Sequence, residues 1–192
     1  MPDALQPGST LPRFRRSADS SAFEAMWRGL PRTGLVPDRD LFKPEKAKSF
    51  LRNLILISAP EPDSTELKIR LVGSGVHQRI GRDVTGEDYV KFMGEERRGV
   101  ALLVIDRVFS WPCGFWQVAP VHYERGFSHY WEMTAFPLAG NEKNRPMLLG
   151  HVSPVDGLLP GTATGDRAMH VGLAETFEYI DIGAGVPASL GG

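Results

Sequence analysis

Cysteine is almost missing from this chain. Cys113 is the one thiol in 192 residues, so no internal disulfide can form, and the composition suits a reducing compartment. Excess charge is missing too. Lys and Arg number 22 against 23 Asp and Glu, for a net charge of -1, which offers neither nucleic acid nor an anionic membrane surface a field to respond to. No segment approaches the ~18 uninterrupted apolar residues of a membrane helix, and the opening MPDALQPGSTLPRFRR holds no apolar core of signal-peptide length. A cytoplasmic protein without membrane or nucleic-acid partners is expected.

Catalytic signatures are equally scarce. There is no G-x-S-x-G, no P-loop and no cysteine–histidine context, and catalysis needs a nucleophile with an oriented base or paired carboxylates in a cleft. Asp83, between Arg82 and a glycine turn, reads as a cap or turn former. Asp38, Arg39 and Asp40 read as a turn with a local ion pair. No enzyme is expected, and no metal site.

What is present describes an ordinary globular domain, 42% hydrophobic and 23% charged. Residues 1–18, with Pro2, Pro7, Gly8 and Pro12, read as a flexible tail. A first helix is predicted over 21–30, with Ser20 or Ser21 capping and Glu24 completing a capping box. Phe23, Met26, Trp27 and Leu30 form its apolar stripe, and Pro31 ends it. That stripe either packs on the chain's own sheet or pairs with a second subunit, where Trp and Met are favoured. A second short helix is predicted with Pro44 in its first turn, running through Phe50 and Leu51.

Residues 53–58 (NLILIS) read as a central strand. Residues 66–72 alternate, with Leu67, Ile69 and Leu71 inward, and complete an antiparallel hairpin. Residues 70–86, RLVGSGVHQRIGRDVTG, then give a strand end, glycine turns and one short apolar helix. The longest helix is predicted over 95–109, with Val100, Leu103, Val104 and Val108 on its apolar face. From Phe115 the pattern returns to strand, with Arg125–Gly126 as a two-residue hairpin turn. That register pairs Trp116 with Ala135, Val118 with Met133, Pro120 with Trp131 and His122 with His129, all on one inner face. A third strand over 147–155 adds Leu149 and His151 to the same face. TFEYIDIG, in the Gly-rich extension 157–192, is either an edge strand or a dimer contact.

The segments GLPRTGLVPDRDLFKPEKAKSFLRNLILI, IRLVGSGVHQRIGRDVTGEDYVKF and FEYIDIG together resemble a compact bacterial family of stand-alone PAS domains. Gly81, Arg82, Asp83 and Gly86 match a Gly-Arg-Asp-x-x-Gly element of the wider PAS superfamily. The resemblance implies an α+β fold: a PAS-like five-stranded antiparallel sheet with helices packed on one face and an N-terminal flanking helix, spanning 19–156. It further implies a sensory or regulatory role and frequent homodimerisation through the N-terminal helix, with Phe23, Met26, Trp27 and Leu30 as the candidate interface. No output domain is visible, so a signal would pass to a separate protein.

A small-ligand pocket between helices and sheet would be lined by Trp116, Val118, Trp131, Met133, Leu149 and His151, because such sites are apolar with one or two polar groups. The same side chains could equally fill the core and leave a purely structural dimerisation module. His122 facing His129 supplies only two ligands, too few for a metal. Haem-binding PAS domains take a histidine from the long connecting helix, and residues 95–109 contain none. Photoactive flavin PAS domains carry a reactive cysteine in a helical motif, whereas Cys113 stands outside such a context, beside Pro112. Neither haem nor covalent flavin is expected, and the cofactor is otherwise left unknown.

Overall fold

The computed structural model describes residues 14–155 and 166–188. Ten helices and strands organise them: α1 (Ala18–Arg28), β1 (Leu54–Ser58), β2 (Ile69–Val72), α2 (Ser74–Ile80), α3 (Glu95–Ser110), β3 (Gly114–Tyr123), β4 (Ser128–Leu138), β5 (Met147–Pro154), β6 (Ala168–Val171) and β7 (Thr176–Ile180). Single 3-10 turns at Pro44–Ala47, Leu51–Asn53 and Tyr89–Phe92 stand between them. One antiparallel sheet runs in the order β2-β1-β5-β4-β3-β6, with β7 also on β3. The first five of these strands are the predicted sheet. TFEYIDIG supplies β7, which pairs with residues 114–118 of β3, while β6 pairs with 121–123. Together they cover the β3 edge that would otherwise stand unpaired, a liability in any sheet. No helix among the described residues is long and apolar enough to cross a membrane.

Both faces of the sheet are covered. Ile55, Ile57, Met133, Ala135, Leu148 and Val152 point to α2 and α3 and share a core with Val76, Ile80, Val104, Ile105 and Val108. Leu54, Leu56, Phe136, Leu138, Met147 and Leu149 point the other way and form a second core with Phe23, Trp27 and Leu30 of α1. The strict alternation of pleated strands divides them.

Helix α1 starts three residues before its predicted position. Its cap is Ser17, whose Oγ accepts from the Ser20 N–H at 3.0 Å. Glu24 completes no capping box. It pairs with Arg16 and Arg28 across the helix surface. Phe23 and Trp27 are fully buried and Leu30 nearly so against the chain's own sheet, so these three are unavailable to a second subunit. Only Met26, at the edge of the stripe, stays half-buried.

The hairpin register also needs correction. Phe115 pairs with Ala135, Trp116 with Thr134, Gln117 with Met133, Val118 with Glu132 and His122 with Ser128. The turn holds three residues, 124–126, closed by Tyr123 N–H to Phe127 O at 3.0 Å, with Gly126 at φ 84°. Three-residue hairpin loops place a left-handed residue, typically Gly, at the end. One more loop residue slips the register by one, and with a side-chain period of two that slip moves side chains to the opposite face. A second irregularity acts on β2. Leu56 pairs with Leu71 but Ile57 with Ile69, so a bulge at Arg70 places Leu71 in the α1 core and Ile69 in the α2–α3 core, against their predicted common face.

The glycine-rich stretch folds as a joint. Helix α2 ends on left-handed Gly81, φ 81°. Arg82 then pairs with Glu87, and the Asp83 carboxylate accepts from the Thr85 N–H at 2.9 Å. Asp83 thus stabilises the turn, as its neighbours suggested.

Candidate ligand cavity

The corrected register divides the six predicted pocket residues. Trp131 and Met133 face α2 and line a small cavity of about 70 Å³ with Val76, Ile80, Tyr89, Phe92 and Val121. Trp116, Val118, Leu149 and His151 lie on the α1 face. There Leu149 packs in the second core, Trp116 Nε1 donates to Glu132 at 2.6 Å, and Val118 lines a polar cleft with Arg52, Asn53 and Ser153. His151 sits between the rings of Phe23 and Phe50, at 5.5 and 5.4 Å.

The larger space lies elsewhere on the α3 face of the sheet. A cavity of about 680 Å³ opens between α3, β3 and β7, walled by Ala101, Val104, Ile105, Phe115, Phe177 and Tyr179, with Val100, Leu173 and Val186 at its rim. Small-molecule sites span ~300–1,000 Å³ and are mainly apolar with few polar groups. Tyr89 and Gln117 line both cavities, so the two adjoin on the same face of the sheet.

Three polar side chains occupy the junction. Arg97, 5% exposed, comes from the first turn of α3. Its Nη1 donates to Gly172 O and its Nη2 to Gln117 Oε1, at 2.5 and 2.8 Å. Gln117 Nε2 and the Tyr89 hydroxyl both donate to Met133 Sδ, at 3.8 and 3.5 Å. Burial lowers the Arg97 pKa, partly opposed by Tyr89 and the Glu96 carboxylate, and burial raises that of Tyr89, partly opposed by Arg97.

Arg97 is the residue that the sequence reading missed. The buried side of α3 is Arg97, Ala101, Val104, Ile105 and Val108, whereas Val100 and Leu103 are each 42% exposed. A stripe at i, i+4, i+7, i+8 and i+11 was legible. Its first member, an arginine, reads as a polar turn unless the facing strand is known.

Other groups are now placed. His122 and His129 are on opposite faces of the hairpin. His122 bonds Ser128 through Nδ1 at 2.7 Å and approaches the His170 ring at 4.6 Å, while His129 lies against Tyr123 and Phe127. No group of three metal-ligating side chains occurs among the described residues. Cys113 is fully buried just ahead of β3, and burial pushes its thiol up to about 11, so it is protonated near neutrality and a weak nucleophile.

Burial holds the His151 imidazole below its ordinary pKa, with Asp19 and Glu132 pulling the other way. An unfolded chain binds that proton more readily than the native one. The contribution of neutral His151 is therefore complete above the unfolded value of about 6.5 and is lost as pH falls through it toward the lower native value. Urea midpoints measured from pH 7.5 to 5.5 should fall more steeply for the natural protein than for His151→Phe. Equal slopes would contradict this assignment.

A sheet with helices on both faces, two strands before α2 and α3 and five after, enclosing a cavity on the α3 side, defines an α+β domain. The family model described as PAS domain matches residues 15–153, well over half of the chain, and the protein belongs to the PAS domain family, whose members are generally sensory. The structure is similar to solved light-oxygen-voltage domains. One, studied with a flavin analogue, is 16% identical, with 58% of this chain and 82% of that chain covered at a TM-score of 0.45. The dark form of the blue-light photoreceptor Aureochrome1 LOV is 18% identical, with coverage of 62% and 85% and a TM-score of 0.44. A LOV protein of Rhodobacter sphaeroides is 14% identical, with coverage of 76% and 70% and a TM-score of 0.42. Likeness this distant carries nothing about ligand or activity. No curated protein matches the chain.

Proposed function

We propose that this PAS domain is a non-catalytic cytoplasmic sensor that binds a small molecule between α3, β3 and β7 and relays its presence to a separate output protein. The carrying observation is the cavity of about 680 Å³, apolar apart from a few polar groups. A purely structural module would be expected to fill that space with side chains.

The relay runs through β4. Met133 and Trp131 stand on its cavity side, and Glu132 and Thr134 on its α1 side. Glu132 is buried and accepts from Ser17 N at 2.9 Å and Ser17 Oγ at 2.5 Å, while Ser20 Oγ bonds Thr134 Oγ1 at 2.5 Å. Because Ser17 also caps α1, a ligand that shifts Met133 shifts the strand to which the helix start is tied. Pairing of two copies is part of this reading but falls to surfaces other than Phe23, Trp27 and Leu30.

Ala174→Trp tests the site, because Ala174 lines the cavity from a loop and a large side chain there fills it. Small apolar molecules should raise the melting temperature of the natural protein by several degrees and leave Ala174→Trp unmoved. Equal responses in both, or no response from a broad metabolite panel, would overturn the assignment.

A further inference from the structure

Arg97 carries a full charge into the cavity wall and touches no carboxylate there; the exposed Glu96, its neighbour on α3, acts on it only through space. Its hydrogen-bond partners, Gly172 O and Gln117 Oε1, are neutral, and among the described residues it makes no ion pair. Glu178, the carboxylate that lines this cavity, is exposed and does not reach it. Removing a cation from water costs several kcal/mol (of order), and a neutral environment returns only part of that. Two further donors are poorly matched. The Tyr89 hydroxyl and Gln117 Nε2 both rest on the Met133 thioether, a weak acceptor. Both line the same cavity as Arg97. A guanidinium fork, an amide N–H and a phenol, all donors, thus meet at the inner end of an apolar space, and the acceptors they meet are neutral: a sulfur, an amide oxygen and one backbone carbonyl.

Building on the sensor reading above, we propose that the ligand is a monocarboxylic acid with an apolar body, its carboxylate seated on Arg97 with Tyr89 and Gln117 as further donors. One guanidinium balances one negative charge, and its planar fork matches a carboxylate bidentately. A phosphate or a dicarboxylate would carry an additional charge into walls that have no second cation. The apolar body extends outward between Ala101, Phe115 and Phe177 toward Val100, Leu173 and Val186 at the rim. Those three are 42%, 50% and 45% exposed, and the ligand's hydrocarbon would cover them. On binding, Gln117 and Tyr89 exchange Met133 Sδ for a carboxylate oxygen, which frees Met133 on β4 and begins the displacement that the relay requires.

The experiment is isothermal titration of the full chain with octanoate and 4-phenylbutyrate, set against octanamide and 4-phenylbutanamide, which match them in size without the charge. The acids should bind at least about tenfold more tightly than the amides, a gap of the order expected for a charge-assisted contact. Arg97→Gln should weaken the acids far more than the amides and so remove that preference, and Arg97→Lys should restore part of it. The comparison on the natural protein stands without any variant, should Arg97→Gln fail to fold. Amides binding as tightly as acids would overturn the carboxylate inference and leave the cavity as a neutral-ligand site. Absence of binding by both series, with Ala174→Trp also without effect on any ligand, would overturn the inference and the sensor reading together.

Discussion

Trp27→Ala is expected to lower the unfolding free energy by about 3–5 kcal/mol, the usual loss for a large aromatic side chain removed from a closed core. Trp27 is fully buried. Its ring stacks on Phe136 at 4.7 Å and 20°, its Nε1 donates to Pro137 O at 2.9 Å, and the Arg32 guanidinium covers it at 4.9 Å. Truncation leaves a cavity beneath α1 and an unpaired carbonyl at the end of β4. Met26→Ala, at the half-buried margin of the same helix, should cost about 1 kcal/mol or less. Urea denaturation reads both values, and the loss for Trp27→Ala should not change with protein concentration, because the contact is within one chain. A loss below about 1 kcal/mol, or one that grows on dilution, would return the Phe23–Leu30 stripe to the role of subunit interface.

Gly73→Ala is expected to cost about 3 kcal/mol, at the upper end of ordinary overpacking. The cause is space, because Gly73 has φ -66° and ψ 151°, a conformation open to any residue. A Cβ here would lie 2.2 Å from Leu51 O and 2.5 Å from Arg52 O. Both are backbone atoms, so the 3-10 turn ahead of β1 or the start of α2 must move. Gly86 is the opposite case. Its φ is +87° with nothing within 4 Å of a built Cβ, so Gly86→Ala should cost only the ~1–2 kcal/mol of a left-handed non-glycine residue. The ranking Gly73 above Gly86, measured by thermal or urea unfolding, is the outcome to check. The reverse ranking would show that the joint relaxes freely around Gly73.

Much of the fold was readable because local patterns and the core agree. The NLILIS run, the amphipathic start of α1 and the Gly81–Gly86 element each specify one element through spacing or a left-handed turn, and tertiary contacts reinforce them. The extra strand from TFEYIDIG was one of two readings that the sequence left open, since an exposed β3 edge and a second subunit offer similar partners to a short apolar strand. Side-chain facing was less legible. Assigning Trp116 and Met133 to one surface required the length of the Tyr123–Phe127 turn, and a sequence containing Arg-Gly fits a two- or a three-residue loop equally well. With the longer loop, Trp131 and Met133 stay on the α2–α3 side, where they line the small cavity, while Trp116, Val118, Leu149 and His151 pass to the α1 side.

The amino-acid sequence alone pointed to an α+β fold of the PAS kind, with a single thiol and with Asp83 serving a turn. The PAS reading rests on the resemblance of three segments to a known family, and the others rest on composition and on local turn chemistry. Tertiary structure alone decided which face each strand residue occupies, what covers the stripe of α1, and that Arg97 is a cavity residue. Burial of a charge is a property of everything packed around it. No local pattern announces that an arginine in the first turn of a helix will be buried against Gln117 at the wall of a cavity.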